Sequence, residues 1–166
     1  NAKALVFAGC FFSSKEAETW LEQGLAIIQK QLPEQVLPDG GNFERSPMYH
    51  SIFLEDLLDL VNLSQAYPNV VSAANIVNWR EVALQMQAWL LRLIHPDGQI
   101  AFFNDAAIGI APSPEELTAY GHRVVGKVNQ LTKKKFEHLS ATGYVKLSSA
   151  QAVAFLDLAP VGPDYL

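Results

Sequence analysis

From Ala2 to Phe12 the chain is apolar at nearly every position, which predicts a helix buried on most of its surface rather than one with a solvated face. Ser13 and Ser14 then offer N-cap hydroxyls to a second helix that opens at Lys15-Glu16-Ala17-Glu18. Its apolar positions Trp20, Leu21, Leu25, Ala26, Ile28 and Leu32 recur at three- and four-residue steps, and Pro33 is expected to stop it. A loop follows from Pro33 to Pro47, with the turn residues Pro38-Asp39-Gly40-Gly41 at its centre. Pro47 suits a first helical turn, and Tyr49–Ala66, carrying Ile52, Leu54, Leu57, Leu58, Leu60, Val61 and Leu63, predicts a third helix with Tyr49 and His50 at its N-terminus. The stretch Asn78–Ile94 repeats the pattern with Trp79, Val82, Ala83, Met86, Trp89, Leu90 and Leu93, and His95-Pro96-Asp97-Gly98 ends it.

Beyond that point the periodicity weakens and then changes. Gln99–Asp105 reads as an extended piece leading into a loop, and Pro112-Ser113-Pro114 precedes a short helix over Glu115–Tyr120. After about Gly126 the apolar period becomes that of strands. Tyr144–Leu147 and Ala152–Leu158, separated by Ser148-Ser149-Ala150-Gln151, predict an antiparallel hairpin. Helices followed by strands imply two consecutive units, residues 1–125 and 126–166, rather than an alternating α/β sheet. A lone hairpin is marginal in water, so the second unit reads as truncated. Helical hairpins without a fixed short repeat fit an α/α barrel or toroid, or a plain helical bundle.

Composition narrows the function classes. The 166 residues are 49% hydrophobic, enough for a real core, and only 17% charged, against roughly 25% in an ordinary soluble domain. Part of the surface is therefore expected to meet another chain segment or molecule. A formal net charge of −5 disfavours nucleic acid and anionic membranes, whose binding draws on phosphate neutralisation. The single Cys10, among Phe7, Phe11 and Phe12, reads as a small buried hydrophobe. No apolar run approaches the roughly 18 residues of a membrane span. A chain opening on Asn1 reads as a fragment or processed product, with any targeting segment upstream.

The densest polar cluster lies in Asp39-Gly40-Gly41-Asn42-Phe43-Glu44-Arg45-Ser46-Pro47-Met48-Tyr49-His50. Carboxylates, a guanidinium, a phenol and an imidazole meet there. Two glycines allow a sharp turn or close approach of the backbone, and the following helix N-terminus attracts anions. One reading is a loop that holds a carboxylated substrate. The other is ordinary capping and ion pairing by Glu44 and Arg45, with Tyr49 and His50 as hydrogen-bonded helix residues. Composition leaves both open. Adjacent helical residues point about 100° apart, so Tyr49 and His50 are not expected to face one substrate atom together. Trp20, Trp79 and Trp89 lie on helical stripes and are expected in the core, and His95 reads as a cation at a helix C-terminus.

The segment Leu37-Pro38-Asp39-Gly40-Gly41-Asn42-Phe43-Glu44-Arg45-Ser46-Pro47-Met48-Tyr49-His50 resembles the signature loop of the heparinase II/III-like polysaccharide lyases, including related alginate lyases. The resemblance extends through Leu54–Leu60, His95–Ile100, Phe103-Asn104-Asp105 and Val161–Leu166, essentially the whole chain. It implies a mainly α fold, part of an incomplete α/α toroid, followed by the first strands of an antiparallel β-sandwich. The implied reaction is β-elimination on a uronic-acid polysaccharide, in which the C5 proton is abstracted and the bond to O4 breaks.

By the same resemblance Tyr49 is the catalytic phenol, an acid and in some members also a base, with His50 beside it as the second catalytic candidate. Asn42, Glu44, Arg45 and Asn104 are the implied substrate-binding residues, and Arg45 and His50 are the candidates to tune the phenol. Asn42 stands where relatives carry His. The Asn-His pair that neutralises the uronate in the family does not occur in this sequence. The sandwich His, and any zinc site there, would lie beyond Leu166. No metal or cofactor is expected within the segment, which alone is expected to be inactive. The expected partners are an acidic polysaccharide and the rest of the parent chain, and the resemblance favours a periplasmic or cell-envelope setting. The alternative is a non-catalytic carbohydrate-binding or assembly protein of cell-surface polysaccharide production with the same fold. A third reading is a helical scaffold with a well-capped loop.

Overall fold

Four serines set the helical frame. In a computed structural model describing residues 1–129, 131–132 and 134–160, the side chains of Ser14, Ser46, Ser72 and Ser113 accept from the backbone N–H groups of Ala17, Tyr49, Asn75 and Glu116. Each thereby caps a helix: α2 (Lys15–Gln35), α3 (Pro47–Ala66), α4 (Ala73–Arg92) and α5 (Pro114–Val124). Helix α1 (Ala2–Phe11) precedes them without a side-chain cap. Helices α1 and α2 form one hairpin and α3 and α4 another, with α5 against both α3 and α4. A shared core runs through Val6, Leu32, Leu54, Leu58, Val61, Trp79, Ala83, Met86, Leu90 and Leu117.

Three strands follow, β1 (Phe136–Leu139), β2 (Tyr144–Ser148) and β3 (Val153–Asp157), in antiparallel order β1-β2-β3. The Leu139↔Tyr144↔Asp157 row faces the helices, and a second core of Trp89, Leu93, Ala101 and Tyr144 joins α4 to the sheet. The opposite row Phe136↔Leu147↔Ala154 is outward, with Phe136 and Leu147 exposed.

The helical hairpins and the β2–β3 hairpin follow the pattern of apolar positions, and several details differ. Helix α1 buries only Val6, and Phe7, Phe11 and the following Phe12 are exposed; among the described residues α1 packs mainly on α2 and less on α3. Trp20, expected in the core, is exposed beside Phe12, whereas Trp79 and Trp89 are buried. Pro33 does not stop α2, which runs on to Gln35. A proline so near the C-terminus removes only one backbone bond, and the real stop is Val36, whose backbone pairs with Asn42. Helix α4 begins at Ala73 rather than near Asn78, and α5 reaches Val124. Gln99–Asp105 makes a single bridge, Ile94↔Ile100, rather than a strand, and β1 was not anticipated. Val161–Leu166 lies outside the described residues.

Candidate functional site

The polar loop hangs from the turn Leu37–Gly41, closed by Gly40 N–H donating to Leu37 O (2.8 Å) and Leu37 N–H to Gly41 O (2.8 Å). Gly40 has φ +91°, and a Cβ there would lie 2.5 Å from the Gln85 carbonyl. A Cβ on Gly41 would fall 2.3 Å from Thr142 Cγ2 and 2.5 Å from the Trp89 ring nitrogen. Both glycines are therefore required by close approach of the loop to α4 and to the β1–β2 turn, rather than to a ligand.

Asp39 fixes the turn from both sides. Its Oδ1 accepts from Gly41 N (3.2 Å), while Oδ2 accepts from Ala141 N (3.1 Å), Thr142 N (2.8 Å) and the Thr142 hydroxyl (2.9 Å). The Thr142 hydroxyl in turn accepts from Trp89 Nε1 at 3.1 Å.

Asn42 is buried, and its side chain serves the backbone: Oδ1 accepts from Glu44 N (3.0 Å) and Nδ2 donates to Gln35 O (3.4 Å). His50 has no exposed surface. Its Nδ1 accepts from Asn42 N–H (3.2 Å), which leaves the ring proton on Nε2, 3.0 Å from the Met86 carbonyl. Trp89 lies against the imidazole with ring centroids 4.3 Å apart. Burial drives the His50 pKa down to about 3, against the smaller opposing pull of the Met86 carbonyl. The ring is therefore neutral at ordinary pH and supplies no cation to tune a phenol, which corrects that expectation. The 100° step between neighbouring helical residues sends Tyr49 the other way: it is 40% exposed in the first turn of α3.

Arg45 adopts φ +59°, turning its carbonyl toward the sheet. That oxygen accepts from the Tyr144 hydroxyl (2.6 Å) and from Asn104 Nδ2 (3.1 Å). Asn104 Nδ2 also donates to Asp157 Oδ2 at 2.8 Å. The Arg45 guanidinium bonds the Pro160 carbonyl, and its Nε is buried without a partner among the described residues. Tyr144 is fully buried, and desolvation first, then the Asp157 charge, raises its pKa well above the usual phenol value. Among the described residues Glu44 and Arg45 do not form an ion pair. No group of three His, Cys, Asp or Glu suited to a metal is present among them, and no helix is long and apolar enough to cross a membrane.

Of the six residues singled out by sequence, then, the structure brings Asn42, Arg45, His50 and Asn104 together as the frame of the loop. It leaves Glu44 and Tyr49 at the rim, with no side-chain hydrogen bond to another described residue. Asp39, Thr142, Trp89 and Tyr144 complete the frame. Asp39 was visible only as turn chemistry, and its partners lie about a hundred positions away.

A model for the heparinase II/III N-terminus matches residues 1–117. A heparin-sulfate lyase of Bacteroides stercoris is 34% identical over 68 residues, 40% of this chain and 10% of that protein. A heparin-sulfate lyase of Pedobacter heparinus is 26% identical over 115 residues, 65% of this chain and 16% of that protein. In three dimensions the chain is similar to a heparinase III crystal structure, with TM-score 0.73, 17% identity, and coverage of 94% of this chain and 28% of that one. It is also similar to the heparan sulfate lyase HepC from Pedobacter heparinus, with TM-score 0.69, 21% identity, and coverage of 96% and 27%. The fold is therefore that of an α/α toroid leading into β-strands, and the chain spans less than a third of the length of each of these relatives.

Proposed function

The chain belongs to the heparinase II/III N-terminus family, and from that premise we propose that it is the segment of a uronate-acting polysaccharide lyase that carries the catalytic phenol, Tyr49. The named relatives are heparin-sulfate lyases, which makes a glycosaminoglycan the first substrate class to supply.

The reaction is β-elimination. A base takes the C5 proton, its electron pair becomes the C4–C5 double bond, and the C4–O4 bond breaks. Tyr49 gives its hydroxyl proton to the departing O4, as general acid. Groups that relieve the carboxylate charge are contributed from outside this chain. Glu44 and Arg45 lie on the same loop and are proposed to meet the sugar at the rim. Asn42, His50 and Asn104 act by holding the loop rather than by touching the reacting atoms.

The observation that carries this reading is the opposite fate of two neighbours: His50 is sealed beneath the loop while Tyr49 is presented at its surface on the first turn of a capped helix. The test is to supply the intact protein with heparan-type polymers, alginate and other uronate polysaccharides and follow the absorbance of the new double bond. Activity on at least one polymer is expected, with Tyr49→Phe lowering kcat by roughly 10²–10⁴-fold, the range of a lost general acid. Binding of a polymer with no new absorbance would replace the lyase by the non-catalytic carbohydrate-binding reading.

A further inference from the structure

One carboxylate, that of Asp39, is not used by the proposed chemistry. Asp39 accepts four hydrogen bonds and has no cation among its partners in the described residues: one from its own turn at Gly41, and three from Ala141 and Thr142 in the β1–β2 turn. Bonds from N–H groups to an ionised carboxylate are among the stronger kind, so this is a firm tie between the loop and the sheet. It is continued on both sides. Thr142 receives the Trp89 N–H, Trp89 packs on His50, and His50 accepts from Asn42 N–H. The loop then enters α3 at Ser46, three residues before Tyr49. Asp39 thus anchors the start of a short path of hydrogen bonds and one ring contact that ends at the helical turn carrying the phenol.

We propose that Asp39 is a positioning residue: by binding the β1–β2 turn it makes the sheet set the place of Tyr49, so that strands and helices act as one frame for catalysis. The inference rests on the lyase reading for its catalytic consequence and on geometry alone for the coupling.

The molecule supplies its own control. Pro96-Asp97-Gly98 repeats Pro38-Asp39-Gly40, with Gly98 N–H donating to His95 O (2.9 Å), His95 N–H to Gln99 O (2.8 Å), and Asp97 Oδ1 accepting from Gln99 N (3.0 Å). Asp97 is exposed, and among the described residues its side chain makes no hydrogen bond or ion pair to the sheet. Asp97→Ala therefore removes the same local bond without the tie to the sheet.

The experiment measures kcat and KM of the intact protein for Asp39→Ala, Asp39→Asn and Asp97→Ala. Alongside, the fluorine resonance of 3-fluorotyrosine placed at position 49 is recorded in each. Asp39→Ala is expected to lower kcat by roughly 10–100-fold with KM within about twofold, the cost of a reacting group displaced by an ångström or less. Asp39→Asn keeps an oxygen for the Thr142 side and is expected between Asp39→Ala and wild type, which also serves if the alanine variant does not fold. Both should shift the fluorine resonance, and Asp97→Ala should change neither readout. An unmoved resonance in a folded Asp39 variant overturns the proposal whatever the activity. Equal losses of kcat in Asp97→Ala and Asp39→Ala overturn it too. Full activity in Tyr49→Phe would instead sink the lyase assignment of that residue, while the fluorine shift would still report the coupling.

Discussion

Two turns of this protein share the tripeptide Pro-Asp-Gly, the same pair of backbone hydrogen bonds, the same side-chain bond from Asp and the same left-handed glycine, with φ +91° at Gly40 and +86° at Gly98. Each closes a small bridge, Val36↔Asn42 in one and Ile94↔Ile100 in the other. Their surroundings differ at the tip. The first turn is pressed between α4 and the β1–β2 turn and is cross-linked by Asp39; the second touches the sheet through the His95 ring, but its tip, Pro96–Gln99, is exposed, and a Cβ on Gly98 would meet no described atom within 4 Å. Local sequence specifies the turn, and tertiary contact decides whether the turn is a connector or the floor of a site.

The largest contrast is expected in acid, through the histidine behind each turn. His50, under the first, has its pKa lowered from 6.5 to about 3 by burial, whereas His95, opening the second, lies edge-on to Phe155 at the sheet with centroids 4.7 Å apart. Between those two pH values the unfolded chain binds a proton at His50 that the folded chain refuses. Stability from this residue is therefore intact above about pH 6.5 and is lost as the pH falls toward 3, by about 1.4 kcal/mol per pH unit. Denaturant unfolding at pH 7, 6, 5 and 4 should show that slope in the wild type and a visibly shallower one in His50→Gln. Parallel slopes in the two would mean that His50 is not held neutral.

The glycines give the next contrast. Gly98→Ala should cost about 1–2 kcal/mol, the penalty of a left-handed backbone for an L-residue. Gly40→Ala carries that same penalty plus the overpacking of a methyl driven onto the Gln85 carbonyl, about 1–3 kcal/mol more. Chemical unfolding of the two variants measures the difference directly, and equal losses would show that α4 gives way easily beneath the loop.

How much of this was legible in the sequence follows from the range of each interaction. The helical hairpins were, because three- and four-residue spacing of apolar positions is a local signal, as was the β2–β3 hairpin. The start of α4 is not legible, because a lone Ser72 is a weak cap signal and Ala73–Val77 adds no distinct stripe. Strand β1 was missed because four alternating residues after a run of lysines carry little pattern. Helix α1 shows the limit most plainly: its composition announces an apolar element but does not say what covers Phe7, Phe11 and Phe12. At the site, helical geometry said that Tyr49 and His50 point apart, and only packing against Trp89 and Met86 decides which is buried. The repeated Pro-Asp-Gly was in plain view, yet nothing local distinguishes Asp39 from Asp97, because what sets Asp39 apart is its partner Thr142 in a strand turn far along the chain.

The smallest effect is expected at the far end of the path that starts in the first turn. Tyr49 is substantially exposed, and its hydroxyl makes no hydrogen bond to another described residue. Removing that oxygen exposes no buried partner and opens no cavity, so Tyr49→Phe should change folding free energy by less than about 0.5 kcal/mol. Paired with a large fall in kcat, such a silent thermal profile separates a group kept for substrate from the bonded frame beneath it, where stability and catalysis should fall together. A destabilisation above about 1 kcal/mol would instead place the phenol's oxygen among the hydrogen-bonded groups of the fold. The contrast between a locked floor and a free rim would then vanish at the one residue that gives it chemical meaning.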